Sequence, residues 1–124
     1  MGQAILASNI DRKNYTVLYD NDDGNSGTVT LSDSADNYEF LDIIIWDFYV
    51  TRVFNNSTNR PVGLMKIGGY GGNYFEWYSE SVTINGTSIT RNSVTHGIMQ
   101  ANGSTVIDTT THIPIRSVIG YYHK

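Results

Sequence analysis

Apolar residues recur at alternate positions along most of this chain, and β-branched and aromatic residues are frequent among them. A period of two is typical of β-strands, and Gly and Asn interrupt it at the short intervals expected of sandwiches and barrels. No segment shows the 3.6-residue period of an amphipathic helix. The pattern therefore predicts a single all-β domain of about eight to ten strands, an antiparallel β-sandwich or a jelly-roll-like barrel.

The first two predicted strands are residues 15–19 and 28–32, joined by a long polar turn. Neighbouring strands joined in this way are expected to pair as an antiparallel hairpin, here with Val29 and Leu31 facing inward. The acidic residues of the turn, 20–25, resemble the start of a calcium-binding loop. Because the glycine comes one residue too early and no glutamate follows at the required distance, we predict a turn and no calcium site.

The longest apolar segment, residues 38–54, carries apolar side chains on both of its alternating faces, for example Leu41 on one and Phe40 on the other. Strands with two apolar faces are buried between layers or against another subunit. The segment is also far longer than the usual strand of about 5–6 residues. We therefore expect two strands with a bend near Trp46 and Asp47.

Residues 62–68 and 74–84 are predicted strands on either side of a glycine-rich loop. In a regular strand, Phe75 and Trp77 would lie on one face of the second segment and Val82 and Ile84 on the other. If all four point inward, the set of inward-facing positions must change from odd to even within the segment. A β-bulge near residues 79–81 would absorb this change.

Two Asn-Gly pairs, at 85–86 and 102–103, mark the later turns, and the first is predicted as a type I′ hairpin.

The closing segment, 112–124, is again apolar on both faces. An apolar terminal strand is stable only inside a sheet or under a cover, so we expect it to be buried in the protein's own core or against symmetry mates.

Composition narrows the function classes. The chain has 124 residues, no cysteine, 16% charged residues and a formal net charge of -4. It offers no disulfide or thiolate metal site, no basic surface for nucleic acid and no apolar run long enough for membrane insertion. The first residues also lack the features of a secretory signal.

The histidines and carboxylates give little support for catalysis or for a metal. His96, His112 and His123 show no metal-binding spacing, and we predict no metal and no cofactor. His96 is either a core or interface histidine with a backbone partner or a polar donor in an apolar groove.

The carboxylates on predicted strands, Asp42, Asp47, Glu76 and Glu80, could face one another as in a glycosidase, or point outward into solvent. The chain has no seryl elbow, cysteine nucleophile or phosphate loop. We therefore predict no catalytic residue and no enzyme.

Aromatic residues form the more informative candidate site. Tyrosines and Trp77 flank the glycine-rich loop, and Trp46 and Phe48 flank Asp47. Flat aromatic faces beside hydrogen-bonding side chains suit the CH-rich face and hydroxyl rim of a sugar. The alternative is core packing, and Phe75 and Trp77 are expected to pack inward. The predicted glycan-binding residues are Tyr70, Asn73, Tyr74, Trp77, Asp47 and His96.

Two segments carry a resemblance to known proteins. The segment YTVLYDNDDGNSGTVTLSDSADNYEFLDIIIW, residues 15–46, and the closing IRSVIGYYHK resemble segments near the carboxyl ends of tail-fibre, baseplate and minor structural proteins of phages and prophages of Gram-positive bacteria. The likeness leaves residues 48–111 without a match, and the closing segment has an extra Tyr-His before Lys124. The residues that carry it are Val17, Leu18, Tyr19, Gly27, Thr28, Val29, Thr30, Leu31, Ser32, Asn37, Tyr38, Phe40, Leu41, Ile43, Ile115, Val118 or Ile119, Gly120 and Tyr121.

The resemblance implies a carboxyl-terminal receptor-binding head at the virion tail tip or baseplate, assembled in the bacterial host cytoplasm. Such heads are all-β homotrimers that bind a host cell-wall or cell-surface saccharide without a cofactor. Residues 1–14 would be a short amino-terminal arm or stalk remnant, and residues 15–124 the head. The sequence leaves open whether the chain is an excised head or a short protein that docks on other phage tail components. Two alternatives are a purely structural tail or baseplate subunit and a small polysaccharide-degrading enzyme.

Overall fold

The computed structural model describes residues 14–46, 48–54, 59–69 and 75–124. Within these ranges the chain is an all-β antiparallel sandwich, as the sequence predicted, with one 3-10 turn at Ala35–Asn37. The strands of the described part are β1 (Tyr15–Asn25), β2 (Val29–Thr30), β3 (Tyr38–Ile45), β4 (Tyr49–Phe54), β5 (Arg60–Gly69), β6 (Phe75–Asn85), β7 (Ser88–Met99), β8 (Thr105–Asp108) and β9 (Ile115–His123).

Two antiparallel sheets form the sandwich. Sheet A has the strand order β1-β9-β3-β4, and sheet B has the order β2-β7-β6-β5. The short strand β8 also pairs with β7, near the end of β7 opposite to the one that pairs with β2. Inward side chains from both sheets, with Leu41 and Ile43 on β3, Leu64 on β5 and Ile89 on β7, are fully buried and form one hydrophobic core. Each such burial contributes about 1.5–3 kcal/mol to folding.

The closing strand β9 is an inner member of sheet A, because it pairs with β1 on one side and with β3 on the other. Ile115 and Val118 point into the core and are fully buried. On the outer face, Tyr121 stacks on Phe40 with ring centroids 4.9 Å apart. The sequence left open whether the closing strand is buried in the protein's own core or against symmetry mates. The structure shows burial within the protein's own sheet A and core.

The predicted bend in the long apolar segment is confirmed. β3 ends at Ile45 and β4 begins at Tyr49, and Trp46 between them has a φ of 50°, in the left-handed region. The two strands pair directly as a hairpin. On its outer face, Arg52 donates to both carboxylate oxygens of Asp42, at 2.8 and 2.9 Å.

The predicted hairpin between the first two strands is wrong. β1 pairs with β9 in sheet A, whereas β2 pairs with β7 in sheet B, so the chain crosses between the sheets near residues 25–28. Arg91 on β7 fixes this crossing by donating to the carbonyls of Asn25 and Gly27, at 2.6 and 2.9 Å. Val29 and Leu31 do face inward, as predicted.

The predicted acidic turn is in part a continuation of β1, which extends to Asn25. Its pairing with β9 is irregular between Asp20 and Asn25, which lie opposite Ser117 and Ile115. Five residues of β1 therefore advance past two residues of β9, and the acidic segment bulges from the sheet edge.

The predicted change of parity in β6 is also wrong. Its even-numbered residues face inward throughout, so that Val82 is buried while Phe75 is 44% exposed. Glu76 and Glu80 occupy inward positions. The prediction was wrong because it assumed that inward positions on this strand are apolar. A register shift does occur between Ser81 and Val82, but its extra residue is Asn92 on β7.

The hairpin at 85–86 is confirmed, and its turn type is corrected. Asn85 pairs with Ser88, so Gly86 and Thr87 form the two-residue loop. Gly86 has a φ of 58°, whereas Thr87 has no positive φ. A positive φ at the first loop residue alone is the pattern of a type II′ turn.

Candidate functional site

Sheet B separates the predicted glycan-binding residues that the structure describes. On β6 and β7, Trp77 lies opposite Gly97, and Tyr78 lies opposite His96. Directly paired residues share a face and successive residues alternate, so Trp77 and His96 point to opposite faces. One shallow groove cannot be lined by both. The other predicted residues lie outside the described ranges: Tyr70, Asn73, Tyr74 and Asp47.

Trp77 lies across a glycine on the outer face of sheet B. A Cβ built at Gly97 would be 2.1–2.5 Å from three atoms of the indole ring, a distance that no side chain could occupy. The missing side chain therefore lets the indole rest against the backbone of β7, with its other face turned away from the sheet. Phe75 is an aromatic neighbour of Trp77 on this face, with ring centroids 5.9 Å apart and planes inclined by 31°.

Apolar side chains surround one end of this outer face. Ile67 on β5 pairs directly with Trp77, and Ile107 on β8 pairs with Gly97 on its other side. The exposed fraction is 44–57% for Ile67, Ile107, Phe75 and Met99 and for Met65, which lies opposite Ser79. A contiguous exposed apolar patch of this kind marks an interaction site more often than scattered exposed residues do.

Hydroxyl side chains continue the same face along the strands. Ser79 lies opposite Thr95, and Ser81 lies opposite Ser93, one and two alternate positions beyond Trp77. The outer face thus changes from apolar to hydroxyl-bearing within a few residues. We call this region the Trp77 surface; its residues are Met65, Ile67, Phe75, Trp77, Ser79, Ser81, Ser93, Thr95, Gly97, Met99, Thr105 and Ile107.

Sequence reasoning identified Trp77 but missed the rest of the Trp77 surface. A signal was present in Gly97, since an isolated glycine within a strand pattern indicates close approach of another group. The expected inward packing of Trp77 concealed it. Once Glu76 and Glu80 are recognised as inward residues, the alternation places Phe75, Trp77 and Ser79 outward together.

The opposite, inner face of sheet B carries a polar cluster around His96. The His96 ring stacks on Tyr78 with centroids 3.9 Å apart and planes 6° apart. Its Nε2 is 2.6 Å from a carboxylate oxygen of Glu76, and its Nδ1 is 3.9 Å from Asp108 on β8. The partner of His96 is therefore a carboxylate, whereas the first of the two sequence-based alternatives gave it a backbone partner.

Aromatic side chains and a lysine close this cluster on the side of sheet A. Trp46 meets Tyr78 edge to face at 4.7 Å. The Lys66 ammonium lies 4.7 Å from the Trp46 ring centroid and 5.4 Å from that of Tyr49. This cation–π arrangement occupies the Trp46 ring with a group of the protein itself.

Asp108 is held by the loop that follows β8. Its carboxylate accepts from the backbone N–H and the hydroxyl of Thr110, each at 2.7 Å, and from the hydroxyl of Thr111. The hydrogen bond from Thr111 and those from Thr110 stabilise the ionised form, and they hold the pKa of Asp108 well below its ordinary value.

A buried ion network lies deeper in the sandwich. Glu80 accepts from Arg91 at 3.0 Å, from the backbone N–H of Ile113 at 2.7 Å, and contacts His112 Nδ1 at 2.5 Å. Arg91 also donates to the carbonyl of Ile113 at 2.7 Å. Burial lowers the pKa of Arg91, while Glu80 acts to raise it. The network attaches the segment before β9 to sheet B and has a structural role.

Glu76 and Glu80 do not form the pair that a glycosidase needs. Glu76 and Glu80 lie four residues apart on one strand, roughly 13 Å along its axis, beyond the separation of about 5–10 Å used in glycoside hydrolysis. Asp42 is paired with Arg52 on the outer face of the other sheet. Asp47 lies outside the described residues.

The described ranges lack two other classes of site. They contain no group of three or more His, Asp or Glu side chains arranged to hold a metal ion. They also contain no helix with the length and hydrophobicity of a membrane span. Compared with known proteins, the chain matches no family model, no curated protein sequence and no solved structure.

Proposed function

We propose that this chain is a receptor-binding adhesion domain of a phage tail and that it binds a host cell-surface saccharide, without catalysis, at the Trp77 surface. The observation that carries the proposal is the position of Trp77 across Gly97, where the indole packs against β7 on the outer face of sheet B and remains partly exposed. The resemblance of residues 15–46 to phage tail proteins supports the viral setting.

The physical basis is the stacking of a sugar ring on an aromatic face that packs against the sheet. Covering about 80 Å² of indole with the CH-rich face of a pyranose contributes roughly 2 kcal/mol, which is about thirtyfold in affinity. Ser79 and Thr95 stand one alternate position away and can exchange hydrogen bonds with sugar hydroxyls. A single site of this kind is weak, so we further propose that a homotrimer gains affinity by presenting several copies.

The test is binding of the wild type and of Trp77→Ala to cell-wall polysaccharide and to a glycan array. Phe54→Ala is the matched control, since Phe54 is an aromatic residue of the outer face of sheet A with 63% exposure. We expect Trp77→Ala to lose binding by about thirtyfold and Phe54→Ala to keep it, with both variants folded. Absence of saccharide binding by the wild type, or full binding by Trp77→Ala, refutes the proposal.

A parallel assay of reducing sugar ends addresses catalysis. We expect no release of new ends from any polysaccharide that the protein binds. Turnover by the wild type would replace this proposal with the alternative of a polysaccharide-degrading enzyme.

A second candidate function is a purely structural subunit that contacts other tail proteins. It is favoured by the outer face of sheet A, where Tyr15, Val17, Val50 and Phe54 are 44–63% exposed. Copurification with tail proteins, together with silence on the glycan array, would favour this candidate.

A further inference from the structure

The Trp77 surface has a polarity gradient that constrains the shape and chemistry of a sugar bound there. On one side of the indole, Ile67 is its direct cross-strand neighbour. On the same strand as Trp77, Phe75 lies toward one end and Ser79 toward the other. A ligand centred on the indole therefore meets apolar carbon toward Ile67 and Phe75 and hydroxyl groups toward Ser79 and Thr95, with Met65 on the β5 side of Ser79.

The described residues of the Trp77 surface include no charged side chain. The acidic residues of β6 alternate with the outward ones and point to the inner face, where Glu76 contacts His96 and Glu80 contacts Arg91. A surface without fixed charge gives no electrostatic attraction to a phosphorylated or uronic acid polymer. Binding a charged polymer at this surface would also remove water from its charged groups without giving them a partner of opposite charge, which is unfavourable.

We propose that the ligand of the Trp77 surface is an uncharged saccharide with a methyl-bearing substituent, either the acetamido group of an N-acetylhexosamine or the methyl group of a 6-deoxyhexose. The inference rests on the proposed function and names its substrate class. The CH face of the sugar covers Trp77, its methyl group lies against Ile67 and Phe75, and its hydroxyls reach Ser79 and Thr95.

The first experiment compares probes by isothermal titration with the whole chain. The probes are an N-acetylglucosamine oligomer, a rhamnose oligomer, an unsubstituted glucose oligomer and a polyglucuronate. Burial of one methyl group predicts about fourfold tighter binding for one of the methyl-bearing probes than for the glucose oligomer. Because no charge is involved, raising the salt from about 0.05 to 0.5 M should change the affinity by less than about twofold. Comparison of the first two probes decides which substituent is used.

The second experiment removes the apolar edge. Ile67→Ser should abolish the preference for the methyl-bearing probe while binding to the glucose oligomer changes little. Val106→Ser is the matched control, because Val106 is an exposed strand residue, 52% accessible, that belongs to the opposite face of sheet B. That variant should keep the full preference.

The outcomes separate the two proposals. Binding that depends on Trp77 but favours polyglucuronate or the unsubstituted oligomer, or that collapses with salt, overturns the inference and leaves the proposed function standing. An unchanged preference in Ile67→Ser overturns it as well. Saccharide binding that is unaffected by Trp77→Ala refutes the proposed function itself.

Discussion

Replacing Gly97 by alanine tests whether the position of Trp77 depends on the missing side chain. The added Cβ would lie 2.1 Å from the nearest indole atom, and the nearest atoms are carbons of a rigid ring. Neither the strand backbone of β7 nor the ring can yield by the 1 Å or more that ordinary contact requires. The indole must therefore leave its place over the strand.

The expected magnitude follows from two opposing effects. Crowding that displaces a packed side chain costs about 1–3 kcal/mol, and alanine regains about 0.5–1 kcal/mol because it is less flexible than glycine in the unfolded chain. The net loss of unfolding free energy should be about 0.5–2 kcal/mol. Loss of the stacking face should weaken saccharide binding by about thirtyfold, from about 2 kcal/mol of indole burial.

The assay combines urea unfolding with titration of the saccharide that the wild type binds. Gly63→Ala is the matched control, since Gly63 lies on the same face of the neighbouring strand and a Cβ there would have no atom within 4 Å. That variant should keep its affinity and its stability within about 0.5 kcal/mol. Equal saccharide affinity in Gly97→Ala and Gly63→Ala would refute the reasoning. Saccharide binding would then not depend on the packing of the indole over Gly97.

Three further predictions concern the scaffold. Glu80→Gln should lower the unfolding free energy, measured in urea, by about 3–5 kcal/mol, because the buried Arg91 loses its counter-charge; a loss under about 1 kcal/mol would contradict this. Gly120→Ala should cost about 1–3 kcal/mol in the same assay, since its Cβ would be 2.7 Å from the buried Tyr38 ring, and wild-type stability would show that the core can adapt. Asp108→Asn should lower the melting temperature near pH 7, and the difference should shrink as the pH falls below about 4, because a carboxylate with a lowered pKa stabilises the fold only while ionised. A difference in melting temperature between the wild type and Asp108→Asn that grows as the pH falls would contradict this prediction.

Local patterns predicted the parts of the fold that neighbouring residues determine. The alternation of apolar residues predicted the sandwich, and the two-sided segment predicted the bend at Trp46. The pairing of β1 and β2 could not be predicted in this way. The chain crosses between the sheets where Arg91 binds the carbonyls of Asn25 and Gly27, and Arg91 lies more than sixty residues further along the chain.

The candidate site was predicted only in part, for the same reason. Trp77 was identified from its aromatic character, but its orientation depends on which residues of β6 carry partners. Glu76 and Glu80 face inward because His96 and Arg91 satisfy them, and that information lies on another strand. Once these two even-numbered carboxylates take inward positions, the odd-numbered aromatic residues of β6, Phe75 and Trp77, must face outward.

The most direct test of the Trp77 surface is a fluorescence titration of Trp46→Phe, in which Trp77 is the remaining tryptophan. We expect a saturable change in its emission as a neutral, methyl-bearing saccharide is added, and no change when Gly97→Ala is introduced into the same background. Unaltered emission at saccharide concentrations that saturate binding would contradict the account, because the sugar would then be bound elsewhere on the protein.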